Sequence, residues 1–449
     1  MNEIAISADK LIGALLRLSL TERVCILDSC GVSNLGSHLL IAGLVAVETL
    51  EISYDDPEET LKIVDEALSG DLACIFTLSY DFGMKMLGIM PRLKKNLIAR
   101  EPDVFISTFD ALIVHDYNDG RTYITGDSEK FDEIRAKLST NSGVHKTGIL
   151  SRPTISSNFT RPEYLAAIET IKEHIRSGVT YQTNLTQQLT AILPDDLSPQ
   201  DIFYRLRRDH PAPFAAFINR PDSTVISASP ERFIKISRDA SGREYAGAQR
   251  ISTSPIKGTR PRGKTADEDT ILRKELLASS KDRAENTMIV DLLRNDLGRV
   301  CEYGSISVEK LCDLEEHPTF FNLVSTITGD LKKNIRFTDV LKAVFPCGSI
   351  TGAPKISTMK IIDRIETATR GLSMGAIGYY IPGSKFSFER SILDLSVAIR
   401  TMVVRGNTAT FNVGGGIVID SDPEMEYDET LTKAKALLRA IGADLEFPR

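Results

Sequence analysis

Residues 255–265 have the sequence Pro-Ile-Lys-Gly-Thr-Arg-Pro-Arg-Gly-Lys-Thr, and the fold class depends on how this stretch is interpreted. From Gly258 onward it matches the spacing Gly-x-x-x-x-Gly-Lys-Thr, which is typical of the phosphate-binding loop of P-loop NTPases. Pro261 argues against that interpretation, because it removes one backbone N–H from a loop that has to aim N–H groups at phosphate. No apolar strand ending in a Walker-B aspartate stands out either. A P-loop NTPase remains one hypothesis, and the rest of the chain has to decide.

The composition is that of an ordinary globular protein. The chain has 449 residues, of which 42% are hydrophobic and 26% charged, so it can bury a sizeable core. Its net charge of -7 comes from interspersed acids and bases, which gives no reason to expect a nucleic-acid partner. No segment resembles a signal peptide, and the longest apolar runs are too short to span a bilayer. We expect a cytoplasmic protein with no membrane partner.

The six cysteines have no Cys-x-x-Cys spacing, and the six histidines form no His-Glu-x-x-His motif. A zinc site or a disulfide framework is therefore not expected.

A stretch rich in Ser, Gly, Thr and Pro at residues 141–159 predicts a linker, so we divide the chain into residues 1–140 and 160–440. In the first part, the patterns predict a helix at 57–68 and a β-hairpin at 111–125. In the second part, Thr160 can cap a helix that ends at Gly178. Short strands then alternate irregularly with helices, which favours an α+β fold with antiparallel sheets.

Two pairs of carboxylates lie on separate predicted helices. Asp282 and Glu285 are three residues apart, as are Glu426 and Glu429, so each pair shares one helix face. A solvated acidic face is the ordinary explanation. The alternative is that the pairs converge on Mg²⁺, which takes oxygen ligands and is usually held by one or two protein carboxylates plus substrate.

A run of three glycines, Gly414, Gly415 and Gly416, follows an apolar strand and precedes the second carboxylate pair. Glycines allow close approach of the backbone to a ligand and can offer N–H groups to an anion, although a tight turn explains them equally well. Arg400 follows a strand-like segment and could bind a carboxylate through two hydrogen bonds. A surface ion pair is its ordinary alternative.

Taken together and in this order, the motifs resemble the chorismate-binding family, which includes anthranilate synthase component I, isochorismate synthase and salicylate synthase. The resemblance covers about residues 160–440, and residues 1–140 are similar to the family's more variable N-terminal region. It implies an α+β fold like that of anthranilate synthase component I, a two-sheet antiparallel β-sandwich flanked by helices. Chorismate and Mg²⁺ would lie between the sheets, and the P-loop spacing at Gly258 would be coincidental.

Two positions sort the members of this family by chemistry. The residue before the Gly-Thr pair is Ala in anthranilate synthases, whereas this chain has Lys257 there. Members that add water carry a lysine base where this chain has Gln182. The combination resembles the members that make 4-amino-4-deoxychorismate from chorismate and ammonia. Anthranilate synthase component I stays open as the nearest alternative.

The resemblance also assigns roles to individual residues. Lys257 would attack C2 of chorismate as the C4 hydroxyl leaves, and Glu231 would protonate that hydroxyl. Glu285 and Glu429 would bind Mg²⁺ directly, with Glu426 and Asp282 acting through water. The implied substrate contacts come from Gln182, Gly258, Thr259, Tyr379, Arg400, Gly414, Gly415, Gly416 and Lys433.

The chain shows no glutaminase segment and no reactive-cysteine triad motif, so the implied source of ammonia is a separate glutamine amidotransferase subunit. A free-standing enzyme that uses ammonium directly is the alternative. One departure from the family concerns Asn322, which stands where the family usually has His before Leu-Val-Ser. Asn can hydrogen-bond but cannot titrate near neutral pH, so a silent chorismate-binding homologue also stays open.

Overall fold

The computed structural model describes residues 1–32, 37–90, 92, 101–139, 151–238, 249–317, 320–383, 385, 386, 388 and 391–443. The predicted linker at 141–159 therefore lies outside the described residues up to residue 150.

The strands follow in chain order. They are β1 (Asn2–Ile4), β2 (Cys25–Asp28), β3 (Leu39–Gly43), β4 (Glu48–Ile52), β5 (Ala73–Leu78), β6 (Val104–Phe109), β7 (Ala111–Asp116), β8 (Arg121–Gly126), β9 (Thr154–Ser157), β10 (Gln182–Ile192), β11 (Phe214–Asn219), β12 (Thr224–Ser229), β13 (Arg232–Arg238), β14 (Gln249–Ser254), β15 (Ile256–Pro261), β16 (Ser307–Glu316), β17 (Phe320–Asp330), β18 (Gly352–Ala353), β19 (Ala376–Ile381), β20 (Ile392–Val397), β21 (Thr401–Arg405) and β22 (Thr408–Ile417).

The α-helices are interspersed with these strands. They are α1 (Ala8–Leu18), α2 (Pro57–Ser69), α3 (Tyr80–Met86), α4 (Phe131–Ser139), α5 (Arg161–Arg176), α6 (Pro199–Asp209), α7 (Ala266–Ala278), α8 (Ser280–Gly298), α9 (Phe337–Val344), α10 (Lys355–Ile365) and α11 (Pro423–Ala440).

Local capping explains why the predicted helices begin and end where they do. The Asp56 side chain accepts from the backbone of Glu58 at the start of α2, and Gly70 follows its end. Thr160 and Glu163 form a reciprocal capping box at the start of α5. Both predicted helices are confirmed, as is the hairpin of β7 and β8. Helix α11 begins at Pro423, so both carboxylates of the second pair lie on it.

Two large sheets build the fold. The first has the order β1-β8-β7-β3-β2-β11-β12-β21-β22-β10-β18, with β9 also paired to β10. The second has the order β15-β17-β14-β13-β20-β19-β5-β6-β4, with β16 also paired to β17. The strand pairs among the described residues are antiparallel. The predicted fold class, an α+β sandwich of two antiparallel sheets flanked by helices, is confirmed.

Both sheets take strands from both sides of the predicted linker. Strand β2 pairs with β11 in the first sheet, and β5 pairs with β19 in the second. Residues 1–140 and 160–440 therefore contribute strands to the same two sheets.

The apolar core has three layers. Between the sheets, Ile41 and Ile218 of the first sheet pack with Ile75 and Phe105 of the second. Helices α1, α6 and α11 cover the outer face of the first sheet. Helices α2, α8 and α9 cover the outer face of the second, whereas α10 packs against β10 and β18 of the first. None of the described helices has the length and apolarity that a membrane crossing requires.

The P-loop hypothesis is wrong, because residues 256–261 form strand β15 and not a phosphate-binding loop. Thr259 of this strand pairs with Asn322 of β17. The backbone N–H of Gly263, which would have to face a phosphate, donates instead to the Asp269 carboxylate at 2.8 Å. The place where a phosphate would bind, at the N-terminus of α7, is thus occupied by the carboxylate of Asp269, a residue of α7 itself.

Separating the two parts of the chain should prevent independent folding. A fragment of residues 151–449 would expose the edges of β11 and β19, whose side chains are largely buried in the intact protein. We expect this fragment to aggregate alone and to form a soluble, cooperatively unfolding complex when co-expressed with residues 1–150. Size-exclusion chromatography and thermal unfolding followed by circular dichroism measure this. A monomeric 151–449 fragment with a cooperative transition would show that the boundary separates true domains.

Candidate active site

The candidate active site lies where β22, β10 and β15 come together. A methyl group placed on Gly416 of β22 would lie 2.3 Å from Gln182 Nε2 and 3.1 Å from Lys257 Nζ. The side-chain ends of two predicted site residues, Gln182 and Lys257, therefore meet at Gly416. The side chain of Lys257 retains 13% exposure, so its amine borders an accessible space.

Gln182 is fully buried, and neither atom of its amide has a hydrogen-bond partner among the described residues. Asn184, two residues further along the same face of β10, also has a buried side-chain nitrogen without a partner there. Because buried polar groups are nearly always hydrogen-bonded, these amides indicate a place for a polar ligand or water.

The three glycines lie within β22, which corrects the expectation that they come after an apolar strand. Residues of β22 from Thr408 to Ile417 pair with β10 in an unbroken register. The Asn184 N–H donates to Thr351 on the side of β10 away from β22, so Asn184 and Gly416 are not a hydrogen-bonded pair. The N–H groups of Gly414 and Gly416 consequently point away from β10, toward the side where Arg400 precedes β21.

Glu231 is a buried carboxyl at the end of β12, and the Ser349 hydroxyl donates to its Oε1 at 2.6 Å. Burial raises the pKa of Glu231 to about 7, against the opposing effects of the Ser349 hydrogen bond and the Lys257 charge. The group can therefore hold and release a proton near neutral pH beside Lys257, which is what a general acid requires.

The carboxylates of α8 and α11 face one another across the site. Glu285 Oε2 lies 4.0 Å from Lys257 Nζ, and Glu429 pairs with Lys433 at 2.7 Å. Burial raises the pKa of Glu285, whereas the Lys433 ammonium lowers that of Glu429. The Lys433 amine also donates to the Gly414 carbonyl at 3.0 Å, so it joins α11 to the glycine strand.

Lys281 shows that this region can hold a cation. Its ammonium pairs with Glu426 at 3.5 Å. Burial works to lower the pKa of Lys281, but the charges of Glu426, Glu285 and Glu429 outweigh it and raise that pKa. Across the residues that the structure describes, no three or more His, Cys, Asp or Glu side chains are close enough together to bind a metal unaided. The donor set suits a cation that completes its shell with substrate and water.

The side chains of Asp282 and Thr259 have hydrogen-bond partners within the protein, at the edge of the site. Arg260 donates to Asp282 at 3.1 Å, and a methyl group on Gly258 would lie 2.9 Å from the Asp282 Cβ. The Thr259 hydroxyl donates to Asn322 Oδ1 at 2.8 Å, so Asn322 lies against the Lys257 strand. Of the two arginines that follow Lys257 in the sequence, Arg260 pairs with Asp282 and Arg262 pairs with Asp269.

Arg400 has no carboxylate partner in the described part of the chain. Its guanidinium lies 5.2 Å from the centre of the Phe320 ring, and burial lowers its pKa. A half-buried guanidinium without a carboxylate partner is suited to an anionic ligand.

Tyr379 is the predicted substrate-binding residue for which no contact with Lys257, Gln182 or Gly416 is seen among the described residues. It lines a small cavity between the sheets, of about 30 Å³, together with Leu27, Asp28, Phe214 and Asp394. Burial raises its pKa, with Asp394 adding to the effect.

Sequence reasoning missed Ser349 and Lys281. Ser349 belongs to a 3₁₀ turn at Gly348–Ile350 and contacts Glu231 across a long sequence separation. Lys281 is one of many exposed lysines in the sequence. Neither position carries a local pattern that could have indicated its role.

Comparison with known proteins identifies the class. The family model described as chorismate binding enzyme matches residues 44–439. The chain belongs to this family, as the motifs predicted.

Among its relatives, the chain is 38% identical to aminodeoxychorismate synthase of Streptomyces griseus over 362 residues. That match covers 78% of this chain but only 47% of the relative. It is 34% identical to aminodeoxychorismate synthase component 1 of Bacillus subtilis (strain 168), covering 76% of this chain and 71% of that one. It is also 40% identical to an anthranilate synthase component 1 of Haloarcula marismortui over 65% of this chain and 56% of that one.

The fold is shared with a solved structure. The crystal structure of anthranilate synthase component I from Streptococcus pneumoniae TIGR4 superposes with a TM-score of 0.71 at 26% identity, covering 93% of this chain and 90% of that one.

Replacing Glu231 by Gln should stabilise the protein in a pH-dependent way. A carboxyl whose pKa is raised by folding binds its proton more tightly in the native state. Wild-type stability therefore falls as pH rises from about 4.5 to about 7, and the full cost persists above 7. Because Gln has no charge to bury, the gain of Glu231→Gln over wild type should grow by on the order of 2 kcal/mol between pH 5 and pH 8. Denaturant unfolding at both pH values measures it.

The exposed Glu59→Gln variant is the control for general charge effects. An equal stability difference at pH 5 and pH 8 for Glu231→Gln would contradict the raised pKa.

Proposed function

We propose that this chain converts chorismate and ammonia to 4-amino-4-deoxychorismate, with Lys257 as a covalent nucleophile. The observation that carries the proposal is the convergence of Lys257, Gln182 and Gly416 on one accessible space beside the buried acid Glu231. Two of the relatives that support it are named for this activity. The chain spans less than half of the Streptomyces griseus relative, so activity, substrate and partner are all part of the proposal.

The substrate is a dianion, and the site offers separate positions for its carboxylates. Arg400 supplies an uncompensated guanidinium. The N–H groups of Gly414 and Gly416 are directed to the same side and can bind a carboxylate oxygen. Gln182, Thr259 and Lys433 border this space and would hold the ring and its substituents. A methyl group on Gly258 would lie 2.9 Å from Asp282 Cβ, and one on Gly415 would lie 3.3 Å from Glu426 Oε2. These two glycines therefore allow the backbone to lie close to the carboxylate pairs.

Glu285 and Glu429 would hold Mg²⁺, with Glu426 and Asp282 reaching it through water. Lys281 stands among three of these carboxylates, which is the charge environment that a divalent cation requires. When bound, the metal ion would neutralise a substrate carboxylate.

The chemistry follows from two groups of the chain. The Lys257 amine forms a bond to C2, the two conjugated ring double bonds shift, and the C4–O bond breaks. Glu231 gives its proton to the departing hydroxyl, which leaves as water. Ammonia then forms a bond to C4, the two double bonds shift back, and the C2–N bond to Lys257 breaks to release the amine, while the added nitrogen loses a proton. Two displacements in sequence retain the configuration at C4.

The ammonia would come from a separate glutamine amidotransferase subunit. Among the described residues, the cysteines are free, and burial raises the pKa of Cys25, Cys30, Cys74, Cys301 and Cys347. Thiols in such surroundings are poor nucleophiles, so they do not offer a glutaminase site.

Anthranilate synthase component I is the second candidate, favoured by the Haloarcula marismortui relative and by the fold of the Streptococcus pneumoniae protein. Its product is aromatic and its reaction releases pyruvate, so product analysis separates the two.

Mass spectrometry of the products formed from chorismate, Mg²⁺ and ammonium salt tests the proposal. We expect a product that becomes p-aminobenzoate only when an aminodeoxychorismate lyase is added. Anthranilate with pyruvate in the absence of lyase would overturn the assignment in favour of the second candidate.

Replacing Lys257 by Ala should abolish product formation, with a loss of about 10³-fold or more in kcat, because the covalent route disappears. Lys264→Ala is the matched control, since Lys264 lies in the same segment and is exposed. We expect wild-type kcat for the control. Steady-state assays of both variants would refute the nucleophilic role of Lys257 if their rates were equal.

A further inference from the structure

Arg370 lies outside the cluster of candidate catalytic residues. Its side chain nevertheless hydrogen-bonds to the backbone of two segments that position residues of that cluster. Its Nη1 donates to the Ile350 carbonyl at 2.9 Å, and its Nη2 donates to the Asn184 carbonyl at 2.6 Å. Ile350 follows Ser349, the donor to Glu231. Asn184 lies on β10, two residues from Gln182. One guanidinium thus spans two walls of the site.

Arg370 is itself tightly held. Glu366 accepts from it at 2.9 and 2.7 Å, and Glu366 also accepts from the backbone and hydroxyl of Thr186 on β10. The guanidinium lies 4.5 Å from the centre of the Tyr80 ring. The next residue, Gly371, donates its N–H to the Asp81 carboxylate at 3.0 Å. Helix α3 therefore contacts Arg370 and Gly371 from one side through Tyr80 and Asp81. Glu366, at the end of α10, holds Arg370 from the other side.

The segment that carries Ser349 is a compact unit. Thr351 bonds back to Gly348 through its N–H and to the Cys347 carbonyl through its hydroxyl. The Asn184 N–H donates to the Thr351 carbonyl at 2.9 Å. Because residues 347–351 bond to one another in this way, a displacement of Ile350 has to carry Ser349 with it.

We propose that Arg370 is a positioning residue that holds residues 347–351 against β10 so that Ser349 hydrogen-bonds Glu231. This inference rests on the proposed function, because it gives Glu231 the role of acid. An arginine suits the task, since its planar fork of donors binds two carbonyls and a carboxylate at once. A lysine keeps the charge but cannot make all of these bonds.

The pKa of Glu231 reports the arrangement. The Ser349 hydroxyl favours the ionised carboxyl, so its loss should raise the pKa of Glu231 further. The titratable groups facing Glu231 are Lys257 and Cys347. Arg370→Lys changes neither of them and keeps the charge of residue 370. A shift in this variant would therefore reflect altered hydrogen bonding.

Infrared titration of the Glu231 carboxyl, identified by its absence in Glu231→Gln, tests the inference without relying on the reaction. We expect Arg370→Lys to raise the midpoint by about one pH unit, the value of one hydrogen bond to a charged group. Ser349→Ala should give a similar shift. The double variant should shift no further than Ser349→Ala, because Arg370 acts through Ser349.

Arg220→Lys is the matched control. Arg220 is also buried, pairs with Glu101, bonds Thr77 and lies over the Phe105 ring, but makes no contact with residues 347–351. We expect it to leave the Glu231 midpoint unchanged. If Arg370→Lys does not fold, Glu366→Gln loosens the same guanidinium and is judged by the same criteria.

In turnover, Arg370→Lys should lower kcat by about tenfold or more and change KM by less than about threefold, with the alkaline limb of the pH profile following the infrared midpoint. An unshifted Glu231 midpoint in Arg370→Lys, or an equal shift in the Ser349→Ala background, would overturn the positioning role. If wild type forms no product from chorismate, the proposed function fails, and the infrared result still decides on Arg370.

Discussion

The pairing of β10 with β22 is the contact on which the site depends. Its unbroken register sets Thr183 opposite Ile417 and places Gln182 beside Gly416. A slip of one residue would turn every side chain of β10 to the other face. It would remove the Gln182 amide from the space beside Lys257. The carboxylates of helix α11 approach the same strand pair at Gly415, the neighbour of Gly416. One strand pair therefore positions both the polar pocket and the candidate cation site.

Several polar and charged groups are buried near the β10–β22 pair. Those whose hydrogen bonds and ion pairs are complete within the protein are not available for chemistry, and the others are. Arg370 and Glu366 are fully engaged, and breaking such a pair leaves an uncompensated buried charge. Gln182 has no hydrogen-bond partner among the described residues, and Arg400 has no carboxylate partner there, as a ligand site would require. Glu231 is intermediate between these two groups. It accepts a hydrogen bond from Ser349, but this bond does not offset the effect of burial, so the pKa of Glu231 is raised to about 7. The contrast separates the scaffold from the reactive groups.

Local patterns predicted the elements well, because caps and turns depend on residues a few positions apart, as at Thr160 and Glu163. The convergence of Lys257, Glu285 and Glu429 could be expected only from the family resemblance, since no local rule joins residues so far apart. The substrate contact predicted for Tyr379 stays a prediction, and the structure shows this residue lining a cavity between the sheets. Ser349 had no sequence signal, because its role exists only through the folded contact with Glu231.

The most direct test of the account is to trap the covalent intermediate. The protein is incubated with chorismate and Mg²⁺ without any ammonia source, quenched, and analysed by intact-mass and peptide-mapping mass spectrometry. The account predicts an added mass equal to chorismate minus one water, located on the peptide that contains Lys257 and absent from Lys257→Ala. Turnover to 4-amino-4-deoxychorismate by a protein that never carries this adduct, or an adduct on another residue that persists in Lys257→Ala, would contradict it.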